Sequence, residues 1–140
     1  MSAEVNKAVV RRLNLEFIQA RKPEVAFEIL ADTFINHTPV PGLPAGKEGV
    51  SAFFGIMWQA FPDMTVEILD QVAEGDTVTT RKAFHGTHQG DFMGIPATNK
   101  RVQINVIDII RLENNRFVEH WAIMDQMGLM QQLGVIPAQS

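Results

Sequence analysis

The chain has 140 residues, 12 basic and 16 acidic side chains for a formal net charge of −4, 46% hydrophobic residues and no cysteine. That is one domain over residues 1–140 with enough apolar material for a single core. It excludes disulfides, thiol catalysis and thiolate metal sites, and its sign argues against nucleic acid or an anionic membrane as the main partner. The start, "MSAEVNKAVVRRL", lacks the apolar core of a secretion signal, and no apolar run reaches the ~20 residues of a membrane span, so a reducing cytoplasm is the expected location.

Taken in chain order, Val5, Val9, Leu13, Phe17 and Ala20 repeat at helical spacing, which predicts a helix over Ala3 to Ala20. "RKPEVAFEIL" predicts a second, short helix with Pro23 near its first position, "DTFINHTP" a short extended piece, and "VPGLPAGKEG" a loop. Val50, Phe53, Phe54, Met57, Trp58 and Phe61 give the strongest helical pattern, which Pro62 stops. "MTVEILDQVAEGDTVTTRKAFHG" then reads as two strands joined at "EGD", and "THQGDFMGIPATN" as a long loop. "KRVQINVIDIIRL" and "FVEHWAIMD" read as an antiparallel pair about an "ENNR" turn, and "QMGLMQQLG" closes the chain as a helical turn. Helices followed by a mostly antiparallel sheet make an α+β domain, with the helices packed on one face of the sheet. Val102, Ile104, Val106 and Ile110 load one face of the long strand, and Ile107 and Ile109 load the other. Helices cover one face only, so a second subunit is expected over the other, as a homodimer.

Asp125 is the anomaly. It follows "HWAIM" and shares a strand face with Trp121 and Ile123, while His120, Ala122 and Met124 share the opposite one. An isolated buried carboxylate costs several kcal/mol, so this one is expected to be paired, protonated or open to a cavity. The alternative is plainer: Asp is a good N-cap, and "DQMGLM" begins a helix. If Arg111 stood on the same face it would pair with Asp125. The four histidines, His37, His85, His88 and His120, show no metal-binding frame such as HExxH. The chain has no GxGxxG, Walker or GxSxG motif. With no tyrosine in the chain, an enolate would need histidine, asparagine, tryptophan or backbone N–H groups as its donor.

The runs "FINHTPVPGLPAGKEGVSAFF", "GTHQGDFMGIPATNKRV" and "EHWAIMDQMGLMQQLG" resemble the SnoaL-like polyketide cyclases, or ester cyclases, over almost the whole chain. The resemblance implies a cone-shaped α+β barrel of the nuclear transport factor 2-like superfamily, a homodimer, a deep apolar pocket and no cofactor. It implies a small apolar, polyketide-like substrate closed by an intramolecular aldol reaction. The acid/base is matched to Asp125, with His37 and Arg111 nearby, standing where some members carry asparagine and histidine. Phe53, Met57, Trp58, His88, Phe92, Met93 and Trp121 are the candidate substrate-binding wall. An epoxide hydrolase or isomerase on the same fold, and a non-catalytic binder of apolar ligands, are the rival expectations.

Overall fold

The computed structural model describes residues 2–137. Helix α1 (Ala3–Arg12) is capped by Ser2, whose hydroxyl accepts from the Val5 N–H. The predicted helix to Ala20 is continuous, but its second half, Leu13–Gln19, winds more widely as a π-helix. Helix α2 (Pro23–Ile29) runs straight into strand β1 (Leu30–Asn36). After the proline loop come α3 (Lys47–Ala60), β2 (Thr65–Glu74), β3 (Thr77–Thr87), β4 (Arg101–Glu113), β5 (Arg116–Met124) and α4 (Gln126–Leu133).

The five strands form one curved, unclosed sheet in the order β1-β5-β4-β3-β2. The neighbours from β2 to β5 are antiparallel. β1 lies parallel to β5 at the edge. The β2–β3 hairpin turns at Gly75, whose φ is +59°. Between β4 and β5, Asn114 and Asn115 both have positive φ. Two adjacent left-handed residues are what a two-residue hairpin matched to sheet twist demands, and Asn tolerates that region better than most side chains.

Burial on β4 alternates without a break. Val102, Ile104, Val106, Asp108, Ile110 and Leu112 face the helices, while Ile107 and Ile109 face away and are partly exposed. The core between the layers centres on Phe17, with Phe54 and Trp58 set edge-on to it at 5.5 Å. The Trp58 Nε1–H donates to the Ile18 carbonyl at 2.9 Å, which ties α3 to the widened helix. None of the helices among the described residues is long and apolar enough to cross a membrane.

Candidate functional site

A cavity of about 180 Å³ opens between the helices and the inner face of the sheet. Phe53, Phe54, Phe84, Phe92 and Met93 line it, with the 38–44 loop on another side. Its polar groups come from several elements: Asn14, Asn36, Thr38, Lys82, Asp108, His120 and Gln126. Register explains how three of them meet. On neighbouring strands Asp108 lies opposite Thr80 on β3 and Ala122 on β5. Lys82 is two residues beyond Thr80, and His120 is two residues before Ala122. Side chains two apart on a strand share a face, so Lys82, Asp108 and His120 form one diagonal row, each step roughly 7–8 Å between backbones. Ala122 offers only a methyl beside Asp108, and all four residues line the cavity.

The Lys82 ammonium and the Asp108 carboxylate pair at 2.9 Å, with 5% and 4% of their side-chain surfaces exposed. Lys82 Nζ also donates to Asn14 Oδ1 at 2.7 Å and sits 5.4 Å from the centre of the Phe84 ring. Asn14 is held in turn, since its Nδ2 donates to the Val10 carbonyl at 2.9 Å. That residue lies in the π-helical segment, a local widening that often accompanies functional positions. Asp108 Oδ1 is buried and has no hydrogen-bond partner among the described residues.

His120 is fixed from the other side. Asn36 Oδ1 accepts from the Thr38 backbone N–H at 3.0 Å and lies 2.9 Å from His120 Nδ1. An oxygen acceptor there requires Nδ1 to carry the proton, so Nε2 presents a lone pair. Burial lowers the His120 pKa from 6.5 to about 4, the Asp108 charge opposes that shift, and Lys82 and His37 add to it. The imidazole is therefore neutral at pH 7.

The residues expected from the sequence are distributed differently. Asp125 is exposed, and its Oδ1 accepts from the Gly128 N–H at 2.9 Å as the N-cap of α4. It borders an outer pocket of about 750 Å³ with Ile107, Ile123 and Met127, not the inner cavity. The expected burial of this carboxylate does not occur, because strand alternation puts the Trp121–Ile123–Asp125 face outside and the His120–Ala122–Met124 face inside. Arg111 is on the outer face too, but it pairs with Glu119, Glu113 and Asp76, near the far end of the strand pair from Asp125. His37 joins that group: Nε2 is 2.9 Å from Glu119 Oε2, and its ring stacks on Trp121 at 4.7 Å. Hydrogen bonds from Arg111 and then His37 hold the Glu119 carboxyl below its ordinary pKa. His37, Arg111 and Trp121 thus meet each other around Glu119, and Asp125 does not meet them.

Of the expected binding wall, Phe53, Phe92 and Met93 line the cavity. Met57 is wholly buried core, and Trp58 is bound into the helix packing. His88 is buried behind Phe61, where its Nδ1 accepts from the Thr98 N–H at 3.2 Å and pins the two ends of the 88–99 loop. Lys82, Asp108 and Asn14 were not anticipated. The signal for Asp108 was present: it occupies a position of the apolar alternation on β4 that every neighbour fills with Val, Ile or Leu.

Removing the cap gives a direct check on Asp125. Asp125→Ala should cost about 1 kcal/mol in denaturant unfolding, and Asp125→Asn much less, because asparagine caps nearly as well.

A family model of SnoaL-like polyketide cyclases matches residues 8–133. The aklanonic acid methyl ester cyclase DnrD of Streptomyces peucetius is 27% identical over 139 residues, covering 96% of this chain and 92% of that protein. Among solved structures, TsrD from Streptomyces laurentii superimposes with a TM-score of 0.87 at 27% identity, covering 97% of this chain and 99% of that one. IdmH from Streptomyces antibioticus gives 0.82 at 31% identity, covering 92% and 98%. The matched span takes in every strand and nearly all of the helices that enclose the cavity, and the chain belongs to the SnoaL-like polyketide cyclase family.

Proposed function

We propose that the protein closes a carbocycle in a small, apolar polyketide ester by intramolecular aldol addition in the inner cavity, with His120 as the acid/base and no cofactor. The observation that carries this reading is the His120 ring: it is neutral, half-buried, fixed in one tautomer by Asn36, lines a largely apolar cavity, and has no partner on Nε2 among the described residues. Nε2 takes a proton from the carbon between two carbonyls, and the C–H electrons move onto oxygen as an enolate. The enolate carbon attacks a second carbonyl of the same molecule, forming the C–C bond and leaving an alkoxide. The imidazolium returns its proton to that alkoxide, so the net reaction is an isomerisation. The nearby Asp108 charge favours the imidazolium during the cycle. The cavity wall contributes by holding a flexible chain bent, which raises the effective concentration of its two ends.

The test compares His120→Gln with Asp125→Asn on a β-keto ester carrying a second ketone. His120→Gln should lower kcat at least ~10²-fold while the ester still binds, and Asp125→Asn should leave kcat within a few-fold. A large loss in Asp125→Asn alone would return the acid/base to the outer face. Binding without turnover in the wild type would favour the ligand carrier, and solvent oxygen appearing in the product would favour a hydrolase.

The outer face supports a homodimer within the same reading. Ile107 pairs across the strands with Ile123, the two being 50% and 73% exposed, and Leu69 and Met127 extend the apolar surface. Contiguous exposed apolar surface of this kind marks an interaction site. Light scattering after size exclusion should give twice the chain mass at micromolar concentration, and a monomer there would remove the dimer.

A further inference from the structure

We propose that Lys82 is a catalytic residue, the group that binds the enolate oxygen, and that with Asp108 it forms a built donor–acceptor site for the enolisable β-keto ester unit of the substrate. The inference rests on the aldol reading above and deepens it. An ammonium has three N–H donors. One is used by Asn14 Oδ1, the Asp108 carboxylate stands against the group as an ion pair at 2.9 Å, and no further protein acceptor is present among the described residues. Beside it, Asp108 Oδ1 is buried without a donor. Buried polar groups left open in this way are uncommon and call for an explanation. A donor with capacity to spare beside a carboxylate, on two residues that line one cavity, suits an enolisable ketone: its oxygen accepts from Lys82 as keto form and as enolate, and the hydroxyl of its enol tautomer donates to Asp108.

The position of the pair fits the chemistry. Lys82 and His120 stand at opposite ends of the diagonal row with Asp108 between them, so base and oxygen-binding cation face one substrate from two sides. When His120 Nε2 removes the C–H proton, negative charge develops on the adjacent oxygen, and the Lys82 ammonium meets it without reorganising. A charge-assisted hydrogen bond in a water-poor site is worth far more there than in solution. The lysine is already held on two sides by Asn14 and Asp108 and rests over Phe84, so little side-chain freedom is lost when the oxygen arrives. Lys82 therefore takes the donor role that the tyrosine-free composition otherwise leaves to histidine, asparagine, tryptophan or the backbone. Asn14 is a positioning residue, acting only through Lys82.

The test uses ethyl benzoylacetate, whose enolate is distinguished from the keto form by its near-ultraviolet absorption, so no ring closure is needed. Three proteins are compared: the wild type, Asp108→Asn, and Lys82→Met combined with Asp108→Asn. The double variant leaves no unpaired buried charge, and its fold is checked by near-ultraviolet circular dichroism. Wild type should raise the enolate fraction of bound ester about tenfold or more over solution, the effect of one hydrogen bond to a charged group. Asp108→Asn should retain part of that increase because the ammonium remains, and the double variant should bind the ester in its keto form. With the polyketide substrate, kcat should fall about 100-fold between Asp108→Asn and the double variant, with KM changed far less. Equal enolate fractions in Asp108→Asn and the folded double variant would overturn the assignment, as would wild type that binds the ester without enolising it or does not bind it. Enolisation by Lys82 without any ring closure would instead refute the cyclase reading and leave this one standing.

Discussion

Lys82→Met alone should destabilise the protein by about 3–5 kcal/mol, measured as a fall in the denaturant midpoint at constant slope. The loss comes less from the missing attraction than from what remains. Asp108 would keep a charge in a site where 4% of its side chain is exposed, with Oδ1 already unpaired and Oδ2 now unpaired as well. Asn14 Oδ1 would also lose its donor. Asp108→Ala should cost a similar amount by stranding the ammonium. The informative variant is Lys82→Met with Asp108→Leu, which should return to within about 2 kcal/mol of wild type or exceed it, because a buried ion pair seldom outperforms packed apolar side chains. A stable but inactive double variant would mean that the pair is retained for chemistry and not for folding. If the double variant were as unstable as the single ones, the pair would be a structural strut, and its vacant donor and acceptor would need another account.

The sequence revealed the frame of this site more readily than the site. Each helix and strand carries its own periodic signal, which is why the long strand, the Asn114–Asn115 turn and the aromatic helix were all legible. Pairing partners carry no such signal. β1 was visible as an extended piece, yet nothing local says that it lies parallel to β5, where Asn36 reaches the His120 ring. Asp125 drew attention because it interrupts an apolar run, but it comes one residue after the strand ends, where an aspartate turns the chain into α4. Asp108 is quieter in the text, flanked by isoleucines on both sides, and it occupies the buried parity of its strand. Parity was the available clue. Applied to β5 it separates His120 from Trp121, and applied to β3 it puts Lys82 in line with Val78, Thr80 and Phe84. What parity cannot supply is the diagonal match between three strands, which depends on register set by the two hairpins.

His120 should make the protein lose stability earlier on acidification than its carboxylates would. Its pKa is about 4 in the folded protein against an ordinary 6.5, because burial penalises the imidazolium. The charged and titratable groups acting on the ring are Asp108 from β4, which favours the cation, and Lys82 from β3 and His37 beyond β1, which oppose it. With the folded value depressed, the unfolded chain binds the extra proton between these two pH values, so stability falls as pH drops from 6.5 toward 4 and this group adds nothing further below that. The shift corresponds to a loss of order 3 kcal/mol. Glu28, Asp32, Asp63 and Glu119 are depressed carboxylates, held low by cations or hydrogen bonds, so their loss begins only as pH falls below the ordinary carboxylate range. Denaturant unfolding at closely spaced pH values should therefore show two separate descents, and His120→Gln should abolish the upper one. The same ring sets the acid limit of catalysis: kcat/KM should hold down to about pH 4 and fall below it, as Nε2 becomes protonated. A limb near 6.5 would place the working base in an ordinary aqueous setting and remove His120 from the reaction. A base this weak suits the chemistry only if the carbon acid is strengthened by a cation at its oxygen. Its conjugate acid is correspondingly strong, and returns the proton to the new alkoxide with little resistance.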